Sequence, residues 1–171
     1  RLSLVARRAM AGPLTGFGVG LTLPQLGDHV TTAALRGFCE EAERLGFASL
    51  WVQEHLFFAL EPQAPYAARP GVPVPEAYRT TYAPLEVLSM AAAWTERVAL
   101  GTGILVGGYH RPVELAQRLA TLDQLSGGRV ICGLSVGWSK DEHDQSDVEF
   151  TTRGRRMDEL VRAVQACWGP D

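Results

Sequence analysis

Glu54 and His55 follow the apolar run Ala48–Val52 at the loop side of a strand, and their types suit proton chemistry. An imidazole can give or take a proton near neutral pH, so a histidine at the mouth of a barrel strand is a candidate acid or base. From spacing alone, a solvated or hydrogen-bonding histidine fits that place as well as a catalytic one. His110 precedes Arg111-Pro112 at a helix start, where cap-like bonding is the plainer reading. Glu142-His143-Asp144 reads as a solvated loop cluster. The four histidines are dispersed, with neither HxH nor HExxH spacing, and no metal site is expected. Thr151–Arg156 stands just before a helix, and helix N-termini and arginines both favour phosphate. First-turn arginines more often face solvent.

A second kind of chemistry is suggested by glycines. Gly101-Thr102-Gly103-Ile104-Leu105-Val106 and Gly133-Leu134-Ser135-Val136-Gly137-Trp138 each finish an apolar, β-branched run. A glycine near the C-terminal end of a strand lets the backbone approach something flat or phosphorylated, and ligands of α/β proteins gather at that end. Two such ends, one βα repeat apart, read as one side of a cofactor pocket. A Rossmann dinucleotide site is disfavoured by spacing. Its G-x-G-x-x-G opens a helix directly, whereas Gly16-x-Gly18-x-Gly20 and Gly101-x-Gly103 lie at or inside strands.

The elements that must position these residues alternate. Strands are predicted over Phe17–Leu23, Ala48–Val52, Val98–Val106 and Val130–Val136. Each is followed by a helix. The first runs Thr31–Leu45 and stops at Gly46; the second and third open at Pro84 and Pro112, natural first helical positions. The fourth carries Leu160, Val161, Val164 and Trp168. Such alternation implies a parallel sheet covered by helices. The proline-rich segment 56–83 interrupts the rhythm and reads as a lid or substrate wall, with a passive surface excursion as the alternative. A closed (β/α)8 barrel needs eight units and about 250 residues, so four units make half of one.

Composition narrows the classes. With 171 residues, 46% hydrophobic, the chain can bury one sizeable core. A net charge of −3 with 20% charged residues gives no sign of a nucleic-acid or anionic-membrane surface. Cys39, Cys132 and Cys167 are far apart and form no CxxC, which fits reduced thiols in a cytoplasm. Residues 1–16 read as a loose leader rather than a targeting signal, because Arg7-Arg8 interrupts a short apolar run. No run reaches membrane-spanning length.

The motifs together resemble the luciferase-like monooxygenase superfamily, in its deazaflavin (coenzyme F420)-dependent oxidoreductase branch. The resemblance is carried by Leu23-Pro24-Gln25, Leu45–Val52, Glu54-His55, Thr95–Gly103 and His110-Arg111-Pro112. It continues through Leu122–Arg129, Gly137-Trp138 and Arg153–Glu159. It implies a TIM-like barrel with an isoalloxazine ring at the C-terminal mouth. His55 corresponds to the histidine beside the ring's reactive centre and is the implied catalytic residue. Gly103-Ile104 matches a bulge where a non-proline cis peptide backs the ring. Ser135, Val136, Gly137 and Trp138 match the strand-four loop that contacts the cofactor. Gln25, Glu54 and Thr102, in the matched segments, are assigned with them as cofactor-binding. F420 is the implied cofactor and FMN the alternative, because the two branches share most of these elements.

Two departures bear on this. Many F420 members read Ser-Asp-His where this chain has Gln53-Glu54-His55, a form nearer the monooxygenases. The sugar-phosphate dehydrogenases carry an acidic residue near Trp138, which disfavours that substrate class here. The family's strands five to eight are missing, and the chain starts at Arg rather than Met, which fits a piece of something longer. The expectation is an oxidoreductase acting on a small organic substrate, inactive as this piece alone and dimerising through open strand edges. The rival is a non-catalytic half-barrel that binds a partner or a copy of itself.

Overall fold

The computed structural model describes residues 18–169, so the expected leader 1–16 lies outside the described residues. Among these residues there are six short strands: β1 (Gly20–Thr22), β2 (Ser49–Val52), β3 (Ala99–Thr102), β4 (Leu105–Val106), β5 (Val130–Ile131) and β6 (Leu134–Ser135). The first, second, third and fifth make one sheet in the order β1-β2-β3-β5, every pair parallel. The short β4 and β6 pair in parallel beyond it. This is the arrangement expected of the opening half of a (β/α)8 barrel.

The predicted strands 98–106 and 130–136 are each broken in two. At the first break the Gly103–Ile104 peptide is cis, as the resemblance implies. At the second, the Thr102 hydroxyl binds both backbone groups of Gly133: it donates to the carbonyl at 2.9 Å and accepts from the N–H at 2.9 Å. One side chain thus takes over what a regular ladder would supply. On the other side of β3 pairing with the β2 end is unbroken, through Gly103 N–H to the Val52 carbonyl and Glu54 N–H to the Ile104 carbonyl.

Alternation assigns the two faces of the sheet. Leu50, Val52 and Leu100 are fully or almost fully buried against helices α1 (Thr32–Arg44), α2 (Pro84–Trp94) and α3 (Pro112–Leu125), beside Cys39, Leu88, Leu115 and Leu119. Burying each such leucine contributes about 1.5–3 kcal/mol. The other face carries Gly20, Ser49, Trp51 and Gly101. The Trp51 ring lies across the glycines, so that a Cβ on Gly101 would come 2.3 Å from it and one on Gly20 2.6 Å. Trp51 Nε1–H donates to Ser49 Oγ at 2.8 Å, which fixes the ring on that bed.

Helix α1 is capped by Thr31, whose hydroxyl accepts from Ala34 N–H, and α2 and α3 start at Pro84 and Pro112 as predicted. Two further helices follow, α4 (Lys140–Gln145) and α5 (Arg153–Trp168). α5 packs on α3, and Trp168 Nε1–H donates to the Ala116 carbonyl. No helix among the described residues is long and apolar enough to cross a membrane.

Candidate functional site

The C-terminal ends of β2, β4 and β6 meet the segment 56–83 and helix α4 around His55. The imidazole is largely enclosed, at 12% side-chain exposure. Its Nδ1 lies 3.3 Å from a Glu142 oxygen. Tyr78 meets it edge-on at 4.5 Å between ring centres, and Trp138 tilts against it at 5.8 Å. Tyr66 completes the aromatic wall, T-shaped to Trp138 and sharing a hydroxyl–hydroxyl bond of 3.1 Å with Tyr78. Burial, reinforced by the Tyr66 hydrogen bond, pushes the Tyr78 hydroxyl up to about 12, so it stays neutral, and it accepts from Gln53 Nε2.

Glu142 is the centre of this cluster. One of its oxygens accepts the Leu56 N–H, and the other faces His55 Nδ1 and accepts the Tyr109 hydroxyl at 3.0 Å. Burial favours the neutral acid, but the His55 hydrogen bond and charge, with the Leu56 and Tyr109 donors, outweigh it and hold the carboxyl below its ordinary range. Burial beside that carboxylate pushes the Tyr109 hydroxyl far up. Three pieces of chain, from β2, β4 and α4, thus converge on one ionised group.

That corrects the expectation of a solvated cluster for Glu142 and His143, while Asp144 is exposed as expected. Glu142 and His143 are 2% and 0% exposed. Ser139 starts α4 and its hydroxyl accepts from Glu142 N–H, so the six-residue helix turns both side chains inward. His143 Nδ1–H donates to the Ser139 carbonyl at 2.7 Å, and its ring stands between Tyr109 and Phe150 as a packed core residue. Sequence reasoning missed Glu142, Tyr109, Tyr66 and Tyr78. The Ser139-x-x-Glu142 spacing of a capping box was the available signal for a short helix.

The predicted site residues separate into two groups. Gln25, Glu54 and Thr102, expected to touch a cofactor, are buried and committed to the protein itself. Gln25 donates to the carbonyls of Gln53 and Tyr82 and accepts the Gln53 N–H. Glu54 accepts the Val106 N–H at 2.6 Å and pairs with His110 at 3.0 Å, which also corrects the cap reading of His110. Thr102 is spent on Gly133. These three shape the mouth from behind. Gly103 and Ile104 stand at the open face. Gly103 is exposed, and the nearest atom a Cβ there would meet is Trp51 Cε3 at 3.5 Å. Ser135, Val136 and Trp138 are half-buried along the same mouth. Gly137, at φ +74°, presses its bare Cα on Val106 and His143, where a side chain would clash.

At the basic start of α5, Arg155 and Arg156 face solvent as expected, Arg155 beside Glu159. Arg153 stacks on Phe150 and donates to its carbonyl, while Arg156 donates to the Thr152 hydroxyl. Cys39 and Cys132 are pushed up to about 11 by burial, so neither offers a thiolate near neutral pH. Among the described residues no group of three or more His, Cys, Asp or Glu could hold a metal ion.

The family model for luciferase-like monooxygenases matches residues 14–171. The chain belongs to the luciferase-like monooxygenase family. Among its relatives, the F420-dependent glucose-6-phosphate dehydrogenase of Amycolatopsis mediterranei is 29% identical over 140 residues, covering 78% of this chain and 37% of that one. The FMNH(2)-dependent dimethylsulfone monooxygenase of Pseudomonas putida is 35% identical over 82 residues, covering 46% and 22%. Monooxygenase RslO1 from Streptomyces bottropensis superposes with a TM-score of 0.70 at 26% identity, over 91% of this chain and 44% of that one. The chain spans less than half the length of the curated luciferase-like relatives it matches.

Proposed function

We propose that this chain builds one wall of the active site of an oxidoreductase that uses F420, with FMN the alternative, on a small organic substrate. The observation that carries the proposal is the placement of His55. It is an enclosed imidazole held by a carboxylate, and the next residue back, Glu54, bonds through its backbone to Ile104 beside the exposed backbone of Gly103. The residues present fit a planar ring: Gly103 offers bare peptide surface, and Trp51 lies flat behind it on its bed of glycines. Relatives named for F420 and for FMNH(2) support a flavin-type cofactor of either kind.

When bound, such a cofactor supplies the hydride or oxygen chemistry, while the protein supplies orientation and electrostatics. Here the chain's own contributions are three. Gly103-Ile104 and the 135–138 loop form the seat. Tyr66, Tyr78 and Trp138 wall His55 against bulk water. His55 gives or takes the proton that accompanies the redox step.

The test uses the full-length protein, titrated with F420 and with FMN by absorbance, and assayed as His55→Ala. Turnover is expected to fall about 10²–10⁴-fold, with cofactor affinity changing far less. Equal loss of both would make His55 a binding residue. Loss of neither, or binding of neither cofactor by the parent protein, would refute the proposal.

A further inference from the structure

We infer that Glu142 is the positioning residue of His55: its carboxylate accepts the Nδ1–H, fixes that tautomer, and leaves Nε2 as the nitrogen that exchanges a proton with the ligand. The inference rests on the role just proposed for His55.

The acidic neighbour in sequence is not the partner. Glu54 and His55 point to opposite sides of the extended chain, and Glu54 is occupied by Val106 N–H and His110. Asp141 and Asp144 are turned away onto Gln63, and Asp144 also pairs with Lys140. Glu142 alone of these acids reaches the imidazole. An ionised carboxylate only accepts, so a bond to Nδ1 requires the proton to sit on Nδ1. The other donors on Glu142, Leu56 N–H and the Tyr109 hydroxyl, favour its ionised form, so the direction of the bond is set by the surroundings. Tyr78, the remaining titratable group against the ring, makes an edge-on aromatic contact and directs its hydroxyl to Tyr66 and Gln53. His55 Nε2 has no protein hydrogen-bond partner among the described residues.

Geometry also says what Glu142→Gln does. The carboxylate has an oxygen for Leu56 and another for His55, whereas an amide has one oxygen and one donor nitrogen. With the amide oxygen kept by the backbone N–H of Leu56, the amide N–H faces Nδ1. The ring proton then belongs on Nε2, the opposite tautomer. Glu142→Asp keeps two acceptor oxygens and the charge.

The test is nitrogen NMR of the full-length protein with labelled histidine. The His55 signals are assigned by their loss in His55→Ala. At about pH 9, where an ordinary imidazole is neutral, the parent protein should show Nδ1 protonated and Nε2 bare. Glu142→Gln should invert this and lower kcat about 10²-fold, with the cofactor Kd unchanged, and Glu142→Asp should restore the parental tautomer. A parental His55 protonated on Nε2 would overturn the inference, and needs no variant to fold. So would an unchanged tautomer, or an unchanged kcat, in folded Glu142→Gln. Normal turnover in His55→Ala would instead sink the underlying role of His55, whatever the spectrum shows.

Discussion

Glu142 is ionised in a site where burial works against it, and stability should register that. Its folded carboxyl lies below the ordinary value of 4.5, held there by donors the unfolded chain lacks. Its contribution is therefore present above the ordinary carboxylate range and is lost as pH falls through the folded value. We expect Glu142→Gln to be about 2–4 kcal/mol less stable at pH 7, because it leaves His55 and its neighbours mispaired. The variant should also lose less stability than the parent on acidification, as read by urea unfolding across the acid limb. Parallel acid limbs for the two proteins would show that the carboxylate is not held low. His55 and Gly103-Ile104 were legible in the sequence because they sit in recognisable motifs. Glu142 was not: its contact with Leu56 spans 86 positions, and nothing local says that a charged run in a long loop turns inward.

Among the elements, the ends of the strands away from the site are tied by two charged side chains. The Glu43 carboxylate, at the end of α1, accepts the backbone N–H groups of Glu96, Arg97 and Val98 as the chain enters β3. Arg129, entering β5, donates to the carbonyls of Ala92, Thr95, Val98 and Ser126 and to the Thr95 hydroxyl. It thereby satisfies the carbonyls at the open end of α2, which has no capping glycine. Arg129→Ala should cost about 2–4 kcal/mol, with most of those carbonyls left unmatched. Because the clamp is at the strand starts, the thermal midpoint should fall while cofactor affinity holds. An unmoved midpoint would mean that water replaces the guanidinium without loss. Helix starts at Pro84 and Pro112 and the four apolar runs were readable from type and period. The break at Gly103-Ile104 was implied by the resemblance, but the break in β5–β6 was not, since Thr102 spending its hydroxyl on Gly133 is a tertiary event between two ordinary strand sequences.

For the molecule as a whole, the two edge strands set the behaviour. Ile131 is 42% exposed and Val19 61%, and the chain covers 44% of the length of RslO1. We expect the 171-residue polypeptide to self-associate, and to bind F420 or FMN weakly. Size-exclusion chromatography with a cofactor titration measures both, and a monomer with micromolar affinity would contradict the expectation. The segment 56–83 has a mechanical consequence. It is riveted at its start by Leu56 on Glu142, again at Gln63 on Asp141 and Asp144, and at its end by Thr80, Thr81 and Tyr82 on residues 25–27. Any swing is therefore confined to the stretch between Gln63 and Thr80. That span carries Tyr66 and Tyr78, the rings covering His55, and Tyr78 is itself tied to Gln53 at the end of β2. Uncovering the imidazole therefore requires breaking that one bond, while the ties at Leu56, Gln63 and residues 80–82 and the His55–Glu142 contact stay in place.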